Sequence, residues 1–272
     1  MADQSIQQQA IGVFDSGIGG LTVANAIKTL LPYESIYYFG DTAHIPYGTQ
    51  SASTIQQYCE DITTFLLQES CKIIVIACNT ATAAALPQLR AKWPHISFVG
   101  MEPAVKPAVQ ASTSKKIGVL ATQTTFKSVR YQNLLERFAT GYTCFENPCI
   151  GLVELIEAGK WNHPETAQLL KQIIHPMLAE DVDTLVLGCT HYPFVKNLIA
   201  QIAGQGVQVI DPAPAVARQI ERVLQSNQLQ QLAPIMPTYK IWASGTFDSL
   251  QRALHFYDFI YDKIQLFKPI LP

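Results

Sequence analysis

Several features that would assign this chain to a common class of protein are missing from its sequence. No two of its six cysteines form a C-x-x-C pair, which argues against a zinc ribbon or a thioredoxin-type redox site. The formal net charge is only −2 and no run of five or six like charges occurs, so nothing indicates binding to nucleic acid or to an anionic membrane. No apolar run reaches the roughly 18 residues that a membrane-spanning helix needs.

The first ten residues, MADQSIQQQA, also lack the basic and apolar segments of a secretory signal peptide. We therefore predict a cytoplasmic protein with reduced thiols. Material for a core is abundant, since 48% of the 272 residues are hydrophobic and 15% are charged. A chain of this length and composition suits two α/β domains or one large one.

Short β-branched runs alternate along the chain with longer segments of helical periodicity. The predicted strands are residues 11–14, 35–39, 73–77, 96–99, 117–120, 184–187 and 207–210. The clearest predicted helices are residues 54–68, 127–138, 166–179 and 215–225. Continuous apolar strands separated by helices are typical of mostly parallel sheets covered on both faces, so the predicted fold class is α/β.

An internal repeat indicates how the chain is organised. The triplet IGV begins at Ile11 and again at Ile117, 106 residues later, and two apolar strands end in cysteines that are 111 residues apart. Two similar offsets predict two related α/β domains that face each other across a cleft. We place the first domain at residues 1–102 plus 211–272 and the second at residues 103–210.

Polar side chains follow several of the predicted strands, at the sheet edge where parallel sheets bind ligands. The loop DSGIGG, which starts at Asp15, can present backbone amides to an anion, or is a tight turn in which Asp15 caps a helix. A second loop, GDTAHIPYG, carries Asp41, His44 and Tyr47, or does no more than turn the chain.

The two strand-end cysteines, Cys78 and Cys189, occupy equivalent places in the repeat. A single buried cysteine is usually only a small apolar side chain, but two equivalent ones, each before a polar residue and a helix start, indicate reactive thiols. Two thiols on opposite faces of a stereocentre can pass one proton between them, each acting in turn as base and as acid. Asp15 and His191 would then serve as the proton partners of Cys78 and Cys189.

Other functions fit part of this pattern. A Cys-His hydrolase would use Cys189 with His191 as its base, but residues two apart are not expected to reach each other productively, and Cys78 would be idle. Two thiols and one imidazole are an incomplete zinc site. A non-catalytic binding protein would not need both cysteines with Asp15 and His191.

Five motifs, in this order along the chain, resemble those of the glutamate racemases of the aspartate/glutamate racemase superfamily: FDSGIGGLTV, YFGDTAHIPYG, VIACNTATA, GVLATQTT and LVLGCTHYP. The resemblance covers residues 11 to about 256. It implies an isomerase that racemises glutamate without pyridoxal phosphate or metal and supplies D-glutamate for peptidoglycan in the bacterial cell wall. Aspartate racemase is the nearest alternative. The family forms dimers in more than one arrangement, and no feature of this sequence selects one.

The resemblance also implies roles for individual residues. Cys189 takes the proton from the L-isomer and Cys78 from the D-isomer, with Asp15 assisting Cys78 and His191 assisting Cys189.

A helical glutamate supports the histidine in this family, and Glu157 is a better candidate here than Glu154. The substrate-contacting positions implied by the resemblance are Asp15, Ser16, Pro46, Tyr47, Gly48, Asn79, Thr80, Thr122, Thr125, Thr190 and His191. One departure concerns Thr124, which stands where the family commonly has glycine. Because a β-branched residue disfavours positive φ, an altered loop backbone is expected there.

Overall fold

The computed structural model describes residues 5–267 and divides the chain into two units. The first unit comprises Met1–Met101 with Ala213–Pro272, and the second comprises Glu102–Pro212. The first four residues of MADQSIQQQA and the last five of the first predicted domain lie outside the described residues.

The N-terminal part of the first unit is built from four strands and three α-helices. The strands are β1 (Ile11–Asp15), β2 (Ile36–Gly40), β3 (Ile73–Ile76) and β4 (Ser97–Gly100). The helices are α1 (Leu21–Leu30), α2 (Ala52–Gln68) and α3 (Asn79–Lys92). All strand pairs are parallel, in the order β2-β1-β3-β4. Strands β1 and β3 are buried along their whole length, which explains their uninterrupted apolar sequences.

The second unit repeats this topology. Its strands are β5 (Lys116–Ala121), β6 (Thr143–Asn147), β7 (Thr184–Gly188) and β8 (Gln208–Ile210). Its helices are α4 (Val105–Ala111), α5 (Gln123–Lys127), α6 (Val129–Phe138), α7 (Leu152–Glu157), α8 (Pro164–Ala179) and α9 (Lys196–Ala203). The parallel order β6-β5-β7-β8 matches β2-β1-β3-β4 strand for strand. The two IGV triplets thus lie in corresponding strands: the first opens β1, and the second follows Lys116, the first residue of β5.

The C-terminal segment belongs to the first unit. It contains α10 (Ala213–Ser226), β9 (Tyr239–Ala243), α11 (Asp248–Phe256) and β10 (Lys263–Leu266). Helix α10 packs on α1, and β9 pairs in parallel with β2. The first sheet therefore has six strands, in the order β10-β9-β2-β1-β3-β4.

The predicted α/β class is confirmed, and each predicted strand and helix overlaps an observed one. Three strands, β6, β9 and β10, were not predicted, and β6 shows the reason. Its sequence TCFEN is polar because it lies at a sheet edge, partly exposed. The predicted helix at 127–138 is also interrupted, because Ser128 ends α5 and its hydroxyl caps α6 by accepting the Tyr131 N–H. Within residues 5–267, no helix has the length and apolar character needed to cross a membrane.

Candidate active site

Asp15, the last residue of β1, is fully buried beneath the loop that it begins. Its Oδ1 accepts the Gly17 N–H at 2.7 Å and the Ser16 hydroxyl at 3.3 Å. Asp15 is not the N-cap of α1, since that position is Gly20 and no side chain caps the helix. A Cβ at Gly20 would lie 2.6 Å from the Asp15 Cβ, so glycine is needed for the helix to start this close to the carboxylate.

Cys78 lies where β3 passes into α3, and it is buried. Its Sγ is the N-cap acceptor of α3, receiving the Ala81 N–H at 3.4 Å. The Ser16 Oγ lies 3.8 Å from the same sulfur. A thiol at a helix N-terminus is placed where the helix dipole favours thiolate. The structure therefore joins Asp15, Ser16 and Cys78 in one buried cluster.

Asn79 and Thr80 form the first turn of α3 directly beyond the thiol, and both are buried. Neither Oδ1 nor Nδ2 of Asn79 has a hydrogen-bond partner within the described part of the chain. Buried amide groups nearly always have partners, because an unsatisfied one costs about 1–3 kcal/mol. This amide is therefore suited to receive a polar ligand.

The loop that follows β2 is organised around Asp41. The buried Asp41 carboxylate accepts the Tyr47 hydroxyl at 2.6 Å and lies 2.8 Å from His44 Nδ1. Burial, and next the negative charge of Asp41, raises the pKa of Tyr47 well above its usual value, so its hydroxyl stays protonated and can donate. Pro46 and Gly48 flank Tyr47 and are both partly exposed.

Cys189 follows β7 as Cys78 follows β3, and it is also buried. Its Sγ lies 3.7 Å from His191 Nδ1. The expectation that these residues are too close in sequence to reach each other is therefore wrong. Thr190, between them, is buried as well. What counts against a Cys-His hydrolase is then the second thiol, Cys78, which that chemistry would leave unused.

The other ring nitrogen of His191, Nε2, contacts Glu157, the last residue of α7. Its Oε1 lies 2.7 Å from His191 Nε2, and the two side chains are only 12% and 3% exposed. Burial lowers the pKa of His191, but the contacts with Cys189 and Glu157 outweigh it, so the pKa is raised well above its usual value. Glu154, one turn earlier, is exposed, and the carboxylate on His191 is that of Glu157.

The segment ATQTT runs from Ala121, the last residue of β5, into helix α5. The Thr122 hydroxyl caps this helix by accepting the Thr125 N–H at 3.3 Å, and the two hydroxyl oxygens are 3.0 Å apart. Thr124 lies inside α5, where the backbone is right-handed. The prediction that Thr124 alters the backbone of this loop is therefore wrong, because the backbone at this position does not need a positive φ.

Two residues that contact these loops and helices were not predicted from the sequence. The Ser244 hydroxyl, in the turn after β9, donates to Asp41 Oδ1 at 2.5 Å. The Trp161 indole N–H donates to the Ile156 carbonyl at 2.9 Å, and its ring stacks on Phe194 at 5.2 Å between centroids. A prediction of β9 would have made Ser244 a candidate, since polar residues in the turn after a parallel strand often lie at a binding site. No comparable sequence signal marks Trp161.

Within residues 5–267, no group of three or more His, Cys, Asp or Glu side chains is arranged to hold a metal ion. The six cysteines are all free thiols. The side chains around Cys78 and Cys189 include carboxylates, a hydroxyl and an imidazole, which are groups that can take part in acid–base chemistry.

Comparison with known proteins assigns the chain to a family. A sequence profile of Asp/Glu/hydantoin racemases matches residues 20–220. A glutamate racemase of Pseudomonas aeruginosa is 48% identical over 250 residues, covering 92% of this chain and 94% of the relative. The crystal structure of a Bacillus anthracis glutamate racemase superposes with a TM-score of 0.88 at 31% identity, covering 98% of this chain and 100% of that one. That of the Francisella tularensis glutamate racemase, solved in complex with D-glutamate, gives 0.84 at 30% identity, covering 96% and 98%.

The chain therefore belongs to the Asp/Glu/hydantoin racemase family, and within it to the glutamate racemases. It is an isomerase, an amino-acid racemase.

Proposed function

We propose that this racemase interconverts L- and D-glutamate by a two-base proton transfer at Cα, without pyridoxal phosphate or metal: one cysteine removes the α-proton and a second cysteine supplies a proton. Cys189 as thiolate takes the α-proton of L-glutamate, and the Cys78 thiol gives a proton to the opposite face. In the reverse direction the two roles exchange. Each turnover breaks one C–H bond and forms another, so the bound amino acid is inverted with no net change in its composition.

The observation that carries this proposal is that two half-sites, one around Cys78 and one around Cys189, occupy equivalent places in the repeated topology. Each buried thiol follows the corresponding strand of a repeated topology, β3 or β7. Each has its own polar partner, the Asp15–Ser16 pair for Cys78 and His191 for Cys189. A reaction that needs one base on each face of a stereocentre explains why the chain carries two such thiols.

The accessory groups have separate tasks in this mechanism. The imidazolium form of His191, favoured by its contact with Glu157, stabilises the Cys189 thiolate and can return a proton to it. Asp15, acting beside Ser16, is proposed to accept the proton of the Cys78 thiol and to return it. The two thiols thus occupy equivalent places in the repeat but have chemically different partners, a carboxylate and a hydroxyl for Cys78 and an imidazole for Cys189.

Substrate binding must also make the α-proton more acidic, since a thiolate alone is too weak a base for it. We propose that hydrogen bonds to the substrate carboxylate provide this, in a site from which water is excluded. The unsatisfied amide of Asn79 supports this assignment, as does its burial. The other proposed contacts are Asp15, Ser16, Pro46, Tyr47, Gly48, Thr80, Thr122, Thr125, Thr190 and His191.

In the cell, we propose that the product D-glutamate is used to build peptidoglycan, as the family resemblance implies. Both proposed catalytic cysteines are free thiols, and they have to stay reduced to exchange protons. This requirement supports the cytoplasm as the place of action, because that compartment keeps thiols reduced.

The test replaces each proposed catalytic thiol by a hydroxyl, which is far less acidic. We expect Cys78→Ser and Cys189→Ser each to abolish racemisation of glutamate, followed by circular dichroism. With a glutamate analogue that carries a β-leaving group, each variant should still eliminate from only one enantiomer, L for Cys78→Ser and D for Cys189→Ser. Cys144→Ser, which changes a half-buried thiol on β6, is the control and should keep full activity.

Near-normal racemisation by either catalytic variant would refute the two-base mechanism. Faster turnover of aspartate than of glutamate by the unaltered enzyme would replace glutamate as the substrate. Loss of activity after dialysis against a chelator, restored by a metal, would refute the proposed independence from metal.

A further inference from the structure

The turn that follows β9 lies against the loop that follows β2. The Ser244 N–H donates to the Gly40 carbonyl at 3.2 Å, and the Gly245 N–H donates to Thr42 Oγ1 at 3.0 Å. The Thr42 hydroxyl in turn donates to the Thr246 carbonyl at 3.3 Å. Three consecutive residues of the C-terminal segment thus hold a loop about 200 positions earlier in the chain.

Gly245 permits this close approach. A Cβ at Gly245 would lie 2.9 Å from the backbone nitrogen of Ala43 and 3.1 Å from its Cα. Backbone atoms cannot move aside as a flexible side chain does, so any larger residue would push the two segments apart. The contact between turn and loop therefore depends on the absence of a side chain at this position.

The Ser244 hydroxyl makes the central connection. It accepts the Ala43 N–H at 3.0 Å and donates to Asp41 Oδ1 at 2.5 Å. The second oxygen of Asp41 accepts the Tyr47 hydroxyl at 2.6 Å. Since Asp41 is buried, its carboxylate is oriented by these partners and by His44 rather than by solvent.

We propose that Ser244 is a positioning residue for the loop that follows β2. It acts through Asp41 to hold Tyr47, in that loop, in the conformation that binds substrate. The inference rests on the proposed function, which places Tyr47 and Gly48 at the substrate. This role gives the C-terminal segment a function beyond packing. Because β9 pairs in parallel with β2, the turn after β9 lies beside the end of β2. The described part of the second unit, with its four-stranded sheet, contains no strand corresponding to β9.

The first test is kinetic. Ser244→Ala removes one charge-assisted hydrogen bond from Asp41, so we expect KM for both enantiomers of glutamate to rise about tenfold with a smaller change in kcat. Ser244→Thr keeps the hydroxyl and should restore KM to within about twofold of the unaltered enzyme. Ser249→Ala, in α11, makes the same chemical change nearby and should leave KM unchanged.

A double-mutant cycle distinguishes positioning from general loss of structure. If Ser244 acts through Tyr47, adding Ser244→Ala to a Tyr47→Phe enzyme should raise KM by less than about twofold further. Multiplicative effects of the two substitutions would overturn the proposal, as would an unchanged KM in Ser244→Ala.

A second readout does not depend on activity. Amide hydrogen exchange of the peptide that contains Ala43 should be faster in Ser244→Ala than in the unaltered protein, and normal in Ser244→Thr. Unchanged exchange in Ser244→Ala would overturn the positioning role even if the enzyme racemises glutamate. Faster exchange in a protein that does not act on glutamate would instead refute the proposed substrate and leave the structural coupling established.

Discussion

Replacing Glu157 by glutamine is the most informative single change on the second half-site. The Glu157 Oε1 lies 2.7 Å from His191 Nε2, and both side chains are nearly buried. Glutamine has almost the same shape and can still accept the N–H, so the substitution removes the charge and little else. Because Glu157 contributes to the raised pKa of His191, we expect that pKa to fall in the variant.

The size of the effect follows from the contact. A buried hydrogen bond to a charged group contributes about 1.5–3 kcal/mol, and each 1.4 kcal/mol changes a rate about tenfold. The amide retains part of the interaction, so we expect kcat/KM to fall about 10- to 100-fold. The raised pKa keeps His191 protonated, and that form is lost as the pH rises through the folded-state pKa. The variant should therefore lose activity at a lower pH than the unaltered enzyme on the alkaline side of its pH profile.

The assay must allow for the equal free energies of the two enantiomers. Since the equilibrium constant is one, kcat/KM has to fall equally in both directions, and a comparison of rates alone cannot reveal which thiol is affected. The deuterium isotope effect at Cα can reveal it. Slower proton transfer at Cys189 should increase the isotope effect for L-glutamate, whose deuteron Cys189 is proposed to remove, and decrease it for D-glutamate.

Glu154→Gln is the matched control. It makes the same change of charge on the same helix, at an exposed position one turn away, and should leave kcat/KM within about twofold of the original value. Equal activities of Glu157→Gln and Glu154→Gln would refute the role of Glu157. Isotope effects that change equally for both enantiomers would refute the pairing of His191 with Cys189 alone.

Two further predictions concern stability. Lys72 Nζ lies 2.6 Å from Glu34 Oε2, and both side chains are buried. Lys72→Met leaves the Glu34 carboxylate buried without its cation, so the free energy of unfolding in urea titrations should fall by about 3–5 kcal/mol. The double variant Lys72→Met with Glu34→Leu should restore most of this loss. Burial raises the pKa of Asp183, but hydrogen bonds from residues 112–114 outweigh it and hold the pKa well below its usual range. A carboxyl with a depressed folded-state pKa stabilises the fold above its unfolded pKa of about 3.9 and loses that contribution as the pH falls. Asp183→Asn should thus be less stable than the unaltered protein by about 1–2 kcal/mol at pH 7, because the group is only half-buried, and the difference should shrink below about pH 4. A constant difference across this range would contradict the assignment.

Much of the secondary structure could be predicted because burial on both faces of a strand leaves a direct trace in composition. Strands β1, β3, β5 and β7 are largely apolar and buried, and the candidate site residues lie at or just beyond their carboxyl ends. Strand β6 left no such trace, since an edge strand that is partly exposed does not need apolar residues. Strand β10 is likewise an edge strand, at the end of the six-stranded sheet, and both of its terminal residues are exposed.

The sequence by itself was enough to select Cys78 and Cys189 as candidate site residues and to show that their positions are equivalent. Each cysteine stands at the end of an apolar strand, and the two strands belong to a repeat that can be recognised in the sequence. The sequence did not decide between Glu157 and Glu154. That choice depends on which side of α7 faces the ring of His191, and hence on how a six-residue helix packs in its own unit. Nor could it connect Ser244 to Asp41, which are 203 positions apart and meet only because β9 pairs with β2. Local pattern records which side chains are buried and where strands end, whereas contacts between distant segments arise from packing and appear only in the folded chain.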